Sequence, residues 1–524
     1  MIYQIFSENE WVYPDSKINP STDVKLTCAK GADVCFQILT DITLTGTEQL
    51  AFTLNGLNCE PLVYQLLPAC VNRNSDAVLG TTLDYETVKD FATRPAPFDV
   101  YDVTYLPEMG QLKAGRAAFY VRLNVSANAA AGTFSGSLKL QIGNQAAEIP
   151  VQLKICNVQV PALQDASFHM VNWIYYEPLA KQHGIEPWTP EYFRLLERYL
   201  ENQLDMRNDI LMIPAGTPVR DDAGKVIDFD FTHAEQVGKL ALQKGFRAIM
   251  GGFIARWKQW DENEIWLLWD RNVGTSSIEG FRQLKLYFGR AWESVQRCGW
   301  KDQYMQCMVD EPQIPNSAAY RSIAAICRMM MPGVVINDPI EAIDIGGALD
   351  IWNVKQAFYE KYINQFQQLQ ALGEEFWVYT CGFPSGKTMN RVLDLSLNAS
   401  RLPMWMCCKY GFTGFLHWGY HFHTPGVEKD TCAPNRLCGW MPPGNGFIVY
   451  PGNGRPEYSV RAHLQRAGAY DYELLHQLML KAPEKAKAII EKMCRSFDDY
   501  ETSGTLLDST REELLDILEQ VSNQ

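Results

Sequence analysis

The run Met308-Val309-Asp310-Glu311-Pro312 sets two carboxylates side by side behind an apolar stretch. The apolar residues predict a strand, and Pro312 stops it. The proline also disfavours a helical backbone at Glu311 and predicts an extended one. Two carboxylates with unequal pKa values are what acid–base work on a glycosidic bond requires. Neighbours in a regular strand point to opposite faces, so both reach one site only if the strand breaks there. The plain alternative is a solvated turn or a helix N-terminus, where carboxylates are also favoured. Aromatic and amide side chains gather at other expected strand ends: Asn172, Trp173, Tyr175 and Tyr176; Trp352 and Asn353; Trp377 and Tyr379; His417, Trp418 and Tyr420. Flat rings stack on the apolar faces of sugars and box an acetamido methyl group, although they also fill cores.

Other chemistries find less support. His417, His421 and His423 are close in sequence, yet no carboxylate or cysteine stands at ligand spacing, so neither a metal nor a cofactor is expected. Ser385, in Gly382-Phe383-Pro384-Ser385-Gly386, is not a nucleophile elbow. The 14 cysteines are scattered without a CxxC pair and read as reduced, partly core-filling thiols.

The elements that must position these residues follow from the patterning. Of 14 tryptophans only Trp11 precedes residue 160, and the other 13 lie between Trp173 and Trp440, which sets a middle domain apart from its flanks. Residues 1–162 read as an N-terminal β-sandwich. In it Phe119, Val121, Leu123 and Val125 share a buried face, while Tyr120, Arg122 and Asn124 face the other way. From 163 to 457 strands alternate with helices. Strands are expected at 168–173, 210–214, 247–254, 304–309, 334–337, 349–354, 376–380 and 414–420, with a short fifth-to-sixth connection and a helix over 393–410. Eight such units predict a (β/α)₈ barrel, whose active site forms at the C-terminal ends of the strands. An open doubly wound sheet would suit the alternation too, but no GxGxxG or GxxxxGK[ST] motif supports it. Residues 458–524 read as a C-terminal helical segment packed on the barrel.

Composition bounds the partners. Lys and Arg number 47 against 61 Asp and Glu, a net charge of −14, which disfavours nucleic acid and anionic membrane surfaces. No apolar run reaches the roughly 20 residues of a membrane span. The opening Met1-Ile2-Tyr3-Gln4-Ile5-Phe6 has no basic n-region or long apolar stretch, so a cytoplasmic location is expected. The partner expected is a carbohydrate. A homo-oligomer is compatible with the sequence but not indicated by it.

Four stretches together resemble glycoside hydrolase family 123, the β-N-acetylgalactosaminidases. Asp310-Glu311-Pro312 is similar to the family's catalytic pair. Ala131 to Gly136 with the strands that follow resembles the last hairpin of its N-terminal sandwich. Gly414-Phe415-Leu416-His417-Trp418-Gly419-Tyr420 resembles its eighth strand. Gly444 to Pro451, then Ser459-Val460-Arg461 and Asp471-Tyr472-Glu473, resembles its C-terminal signature. One departure stands out: relatives often carry Gly-Asp-Gly where this chain has Gly444-Asn445-Gly446.

The resemblance implies a retaining exo-glycosidase that removes terminal β-linked N-acetylhexosamine, GalNAc favoured, by a substrate-assisted route. Glu311 is then the acid–base residue. Asp310 orients the acetamido group and stabilises the oxazolinium-like intermediate. Asn172, Trp173, Tyr176, Trp352, Asn353, Trp377, Tyr379, His417, Trp418 and Tyr420 are the candidate sugar contacts. A glutamic acid that protonates near neutral pH needs a raised pKa, and Trp352 or Trp418 is the expected apolar wall. Two readings compete: a hydrolase of a non-acetamido glycoside on the same scaffold, and a non-catalytic carbohydrate-binding protein.

Overall fold

The alternation of Phe119, Val121 and Leu123 resolves into a long strand, Gly115–Asn124, with these three side chains in the core between two sheets. The computed structural model describes residues 1–522 of the chain, which divides into two compact units.

The first unit comprises Met1–Ser167, Gly382–Tyr410 and Gly419–Gln524. A seven-stranded antiparallel sheet faces a four-stranded sheet that carries one parallel pair, Val24–Lys30 with Gln145–Gln159. Phe36, Ile38, Phe119 and Val121 from the first sheet meet Leu138, Leu140, Ile149 and Val151 from the second. Tyr120 and Arg122 do turn to the other face, as the alternation requires, but that face is not solvated. The helix Val460–Lys481 covers it: His463 stacks on Tyr120 with ring centroids 4.4 Å apart, and Val460 and Leu464 pack with Tyr64 and Tyr101. The helix Gly504–Ser522 lies along Gln145–Gln159. The C-terminal helices therefore complete the sandwich unit, where a linear reading groups them with the barrel. Residues 449–459, expected within the barrel segment, add a strand pair to the seven-stranded sheet through Tyr458 and Thr104.

The second unit, Phe168–Cys381 with Gly411–Trp418, is the barrel. Its strands are β1 His169–Asn172, β2 Ile210–Ile213, β3 Ala248–Gly251, β4 Tyr304–Gln306, β5 Val335–Ile340, β6 Ile351–Lys355, β7 Glu375–Thr380 and β8 Gly414–His417. Neighbours pair in parallel from β2 round to β8, and β8 pairs with β1. Between β1 and β2 the Asp209 amide donates to the Met170 carbonyl at 3.2 Å, while its carboxylate accepts from the Met170 amide and contacts His169 and Arg247.

The helices follow sequence patterning closely. Ile278–Cys298 starts at Ser277, whose hydroxyl accepts from the Gly280 amide, and ends at Gly299 with φ +73°. The short fifth-to-sixth connection, 341–350, contains no helix. The single helix expected over 393–410 is instead Asn398–Arg401 and Pro403–Tyr410, because proline cannot continue the hydrogen bonding of the first piece. Among the described residues no helix is long and apolar enough to cross a membrane.

Val171, Met212, Met250, Met305, Ile351 and Leu416 fill the barrel interior. Near its N-terminal end the Trp377 ring lies on the backbone of Gly414, where an added Cβ would come within 2.4 Å of the ring. Gly414→Ala should therefore lower stability by about 1–3 kcal/mol, as overpacking does. An unfolding midpoint equal to that of the wild type, measured by calorimetry, would show that the ring yields.

Candidate active site

Strand β4 gives up its regular geometry just before the acidic pair. Asp338, on β5, turns outward from the barrel and accepts hydrogen bonds from the backbone amides of Met308 and Val309, at 2.6 and 3.1 Å, and from the Tyr320 hydroxyl at 2.8 Å. On the other side the amides of Ile254 and Ala255 donate to the Met308 carbonyl. The chain is thus held at 308–309 without the sheet ladder. Glu311 then takes φ +53°, a left-handed conformation uncommon for a residue with a side chain. The extended backbone expected ahead of Pro312 is not what forms. The turn breaks the strand's alternation, and both carboxylates reach the barrel mouth. Non-glycine residues forced into this region cluster at functional sites, where surrounding contacts hold them.

The two carboxylates meet different partners. Asp310 lies 3.2 Å from Arg256 Nη2, whose guanidinium covers the Trp257 ring. Glu311 accepts a 2.7 Å hydrogen bond from the Tyr379 hydroxyl and lies 3.1 Å from Lys355 Nζ. Its backbone carbonyl accepts from the Trp257 indole at 3.0 Å. Lys355 also pairs closely with Glu341 and lies over the rings of Trp260 and Tyr379. The Glu341 amide in turn donates to the Pro312 carbonyl at 2.9 Å.

These surroundings separate the titrations. Burial pushes Asp310 up to about 6, against the pull of Arg256 and with the charge of Glu311 adding. Burial acts on Glu311 too, but Lys355 and the Tyr379 hydrogen bond outweigh it and hold the carboxyl below its ordinary value. The expected order is reversed: in the unliganded protein the higher pKa belongs to Asp310, not Glu311. The cause is Lys355, which no apolar wall offsets. Burial raises Glu341 as well.

A cavity of about 620 Å³ opens beside Asp310, walled by Trp173, Tyr175, Tyr176, Phe253 and Arg256 and reaching Trp188 and His233. Trp188 has φ +66° and stacks on His233 at 4.1 Å. Such a volume and such aromatic walls suit a small organic ligand.

The remaining candidates divide by strand parity. Tyr379 touches Glu311, and Trp173 and Tyr176 line the cavity, the Tyr176 hydroxyl donating to the Met212 carbonyl. Asn353 faces inward two residues before Lys355, and its side-chain amide meets no hydrogen-bond partner among the described residues. Trp418 packs half-buried against the interior cluster, stacked on the buried His417. Asn172 and Trp352 have the opposite parity from their inward neighbours Val171 and Ile351. Asn172 bonds to Asn208 and Gln203, and Trp352 is fully buried against Phe366 and Phe376 with its indole on Glu374. Trp352 is therefore no wall for Glu311. Trp377 sits at the opposite end of the barrel, its indole on Glu375 and Thr413. Tyr420 belongs to the first unit, where it is buried and its carbonyl accepts from the Ile448 amide. Asn445 is buried there too, its amide donating to Asn390 at 3.3 Å.

Sequence reasoning passed over Arg256, Trp257, Asp338, Glu341 and Lys355. Lys355 was detectable by the same strand-end rule, being the single charge that closes Ile351-Trp352-Asn353-Val354-Lys355. Asp338 and Glu341 were hidden because β5 continues to Ile340, three residues past its expected end. Arg256 and Trp257 lie in and just after the two-residue strand Ala255–Arg256, too short to show periodicity.

The model of the glycoside hydrolase 123 catalytic domain matches residues 173–478, more than half of the chain. The chain belongs to glycoside hydrolase family 123. A family 123 glycoside hydrolase from Clostridium perfringens, described for its hydrolysis of glycolipid glycans, superposes with a TM-score of 0.75 at 14% identity, over 99% of this chain and 97% of that one. At that identity the likeness establishes the fold. A termite-gut GH10 xylanase with a bacterial Ig-like domain aligns more loosely, with a TM-score of 0.38 at 11% identity over 86% of this chain and 99% of that one. No curated protein matches the chain in sequence. Family membership makes the protein a glycoside hydrolase with a carbohydrate substrate.

Asp338 lends itself to a stability test, because its burial pushes its pKa up to about 6. The fold thus binds that proton more tightly than the unfolded chain does. Ionised Asp338 costs stability progressively as pH climbs from the ordinary aspartate range through about 6. Asp338→Asn keeps an acceptor for both amides and should remove that pH dependence. Asp338→Ala leaves the Met308 and Val309 amides and the Tyr320 hydroxyl without this acceptor and should cost about 1–3 kcal/mol. Thermal unfolding across this pH range checks both; equal midpoints for Asp338→Ala and wild type would contradict the role.

Proposed function

We propose that this glycoside hydrolase is a retaining exo-enzyme that releases terminal β-linked N-acetylhexosamine, GalNAc favoured, with the substrate's own acetamido oxygen as nucleophile. The observation that carries the reading is the adjacency of Asp310 and Glu311 at one mouth, beside an aromatic-walled cavity that opens on the Asp310 side. Double displacement by two carboxylates needs the groups about 5 Å apart and on opposite sides of the scissile bond. Sequence neighbours on one turn are poorly suited to that. They are well suited to serving two atoms of the same sugar.

In this reading the acetamido group enters beside Asp310. Its N–H donates to the carboxylate, favours the ionised form and draws the pKa of Asp310 down. The two carboxyls titrate as a coupled pair, so ionising Asp310 makes protonation of Glu311 easier. Glu311 then protonates the leaving oxygen as the acetamido oxygen attacks C1, and the oxazolinium-like intermediate places its positive charge next to Asp310. Water opens the ring with Glu311 as base. Hydrolysis of glycolipid glycans by the Clostridium perfringens relative supports an oligosaccharide headgroup as the substrate class.

Nitrophenol release from the aryl β-GalNAc and β-GlcNAc glycosides tests the proposal. Wild-type turnover should be lost in Asp310→Asn. Glu311→Gln should lose at least ~10²-fold in kcat on poor leaving groups and much less on activated ones. Turnover of neither glycoside, with hydrolysis of a non-acetamido aryl glycoside, would replace this reading with the non-acetamido one.

A further inference from the structure

Lys355 stands between two carboxylates. Its ammonium lies 3.1 Å from Glu311 Oε1 and in closer contact with Glu341 Oε1, and its side chain is only 3% exposed. A buried ammonium needs an anion beside it. With Glu311 as its sole partner, protonation of Glu311 would strip Lys355 of its counter-charge. The lysine would then oppose the protonated state that an acid must reach in every turnover. A second carboxylate removes that conflict.

We infer that Lys355 and Glu341 form a positioning pair: Glu341 keeps the ammonium paired while Glu311 gains and loses its proton, so the acid–base residue can cycle inside a buried, charged site. This rests on the reading of Glu311 as the acid–base residue. The backbone supports the pairing. The Glu341 amide holds the Pro312 carbonyl, and Gln313 bridges to Glu341, so the loop that carries the acidic pair is tied to the loop that carries Glu341. Glu341 is therefore fixed relative to Glu311 rather than free to follow Lys355 away.

The groups that face Glu311 are few. Asp310 precedes it on the same turn, Arg256 and the Trp257 indole face it from the loop after β3, and Tyr379 faces it from β7. Lys355 faces it from β6, and Glu341 and Cys381 also act on the ammonium. The charge of Asp338 also acts on Asp310. Three mouth carboxylates, Asp310, Glu311 and Glu341, share two cations, Arg256 and Lys355. Full ionisation leaves one uncompensated negative charge, and a single bound proton neutralises the set. The geometry gives that proton more than one seat.

The test follows the carboxyl of Glu311 directly. Whole protein labelled with ¹³C at glutamate Cδ is titrated, and the Glu311 resonance is assigned by its absence in Glu311→Gln. Lys355→Met should raise the Glu311 midpoint by about one pH unit or more, the usual effect of losing an opposite charge within a few ångströms. Glu341→Gln should lower it, because a repelling carboxylate is gone and the Lys355 charge is no longer shared with Glu341. Lys355→Met with Glu341→Gln, which keeps the buried charge balanced and guards against misfolding, should fall between the two. Lys355→Arg should stay near wild type. The alkaline limb of kcat/KM on aryl N-acetylhexosaminides should move in the same directions, with the loss in Glu341→Gln greater for poor leaving groups. A Glu311 midpoint unchanged in Lys355→Met or in Glu341→Gln overturns the inference. The titration needs no turnover, so a wild type inactive on acetamido glycosides would defeat the proposed substrate while the titration still decides the pair.

Discussion

Two consecutive residues of a strand cannot serve one site unless the strand is broken between them, and the barrel mouth depends on how β4 is broken. The Asp338 carboxylate supplies the means. It takes up the amides of Met308 and Val309 that a continuing ladder would have used, so the chain leaves the sheet without losing hydrogen bonds. The left-handed Glu311 follows, and Pro312, whose carbonyl is held by the Glu341 amide, closes the turn. Conformational strain at one residue is tolerated because three neighbouring strands over-determine its position.

That local solution sets the electrostatics. Bringing two carboxylates to one mouth calls for cations, and they arrive from different strands: Arg256 behind β3 for Asp310, and Lys355 at the end of β6 for Glu311. The pairing is asymmetric. Burial, only partly offset by an arginine half-exposed at the rim, leaves Asp310 easy to protonate, whereas a buried lysine and a tyrosine hydroxyl outweigh burial at Glu311 and hold it below its ordinary value.

Much of this was legible in the residues. Patterning placed eight barrel strands within a few residues of their observed ends, because both faces of these elements are decided by local burial. The acidic pair was legible because two adjacent charges behind an apolar run are costly unless used. Three things were not. Strand parity at the mouth hangs on a one-residue register, so Asn172 and Trp352 looked equivalent to Trp173 and Asn353 although they face helices. The backbone of Glu311 is set by Asp338 and Glu341, which are distant in sequence. The home of the C-terminal helices was hidden because an apolar stripe does not say which sheet or helix it will cover. Tyr120 and Arg122 read only as facing away from the core, and what covers them, residues 460–481, lies far along the chain.

The interleaving of the two units has a consequence for how the protein is made. The chain passes from one unit to the other four times, after residues 167, 381, 410 and 418. No continuous stretch encodes the complete sandwich unit, and the barrel lacks β8 until the segment 382–410 has been synthesised. On the ribosome the N-terminal sheets emerge first, yet the aromatic face of Tyr64, Tyr101 and Tyr120 has no cover until the helix Val460–Lys481 follows. At ordinary synthesis rates that interval lasts roughly tens of seconds. Nascent chains of this protein must therefore spend most of their synthesis with a bare apolar sheet face. Genetic dissection into separate modules would leave that face uncovered permanently.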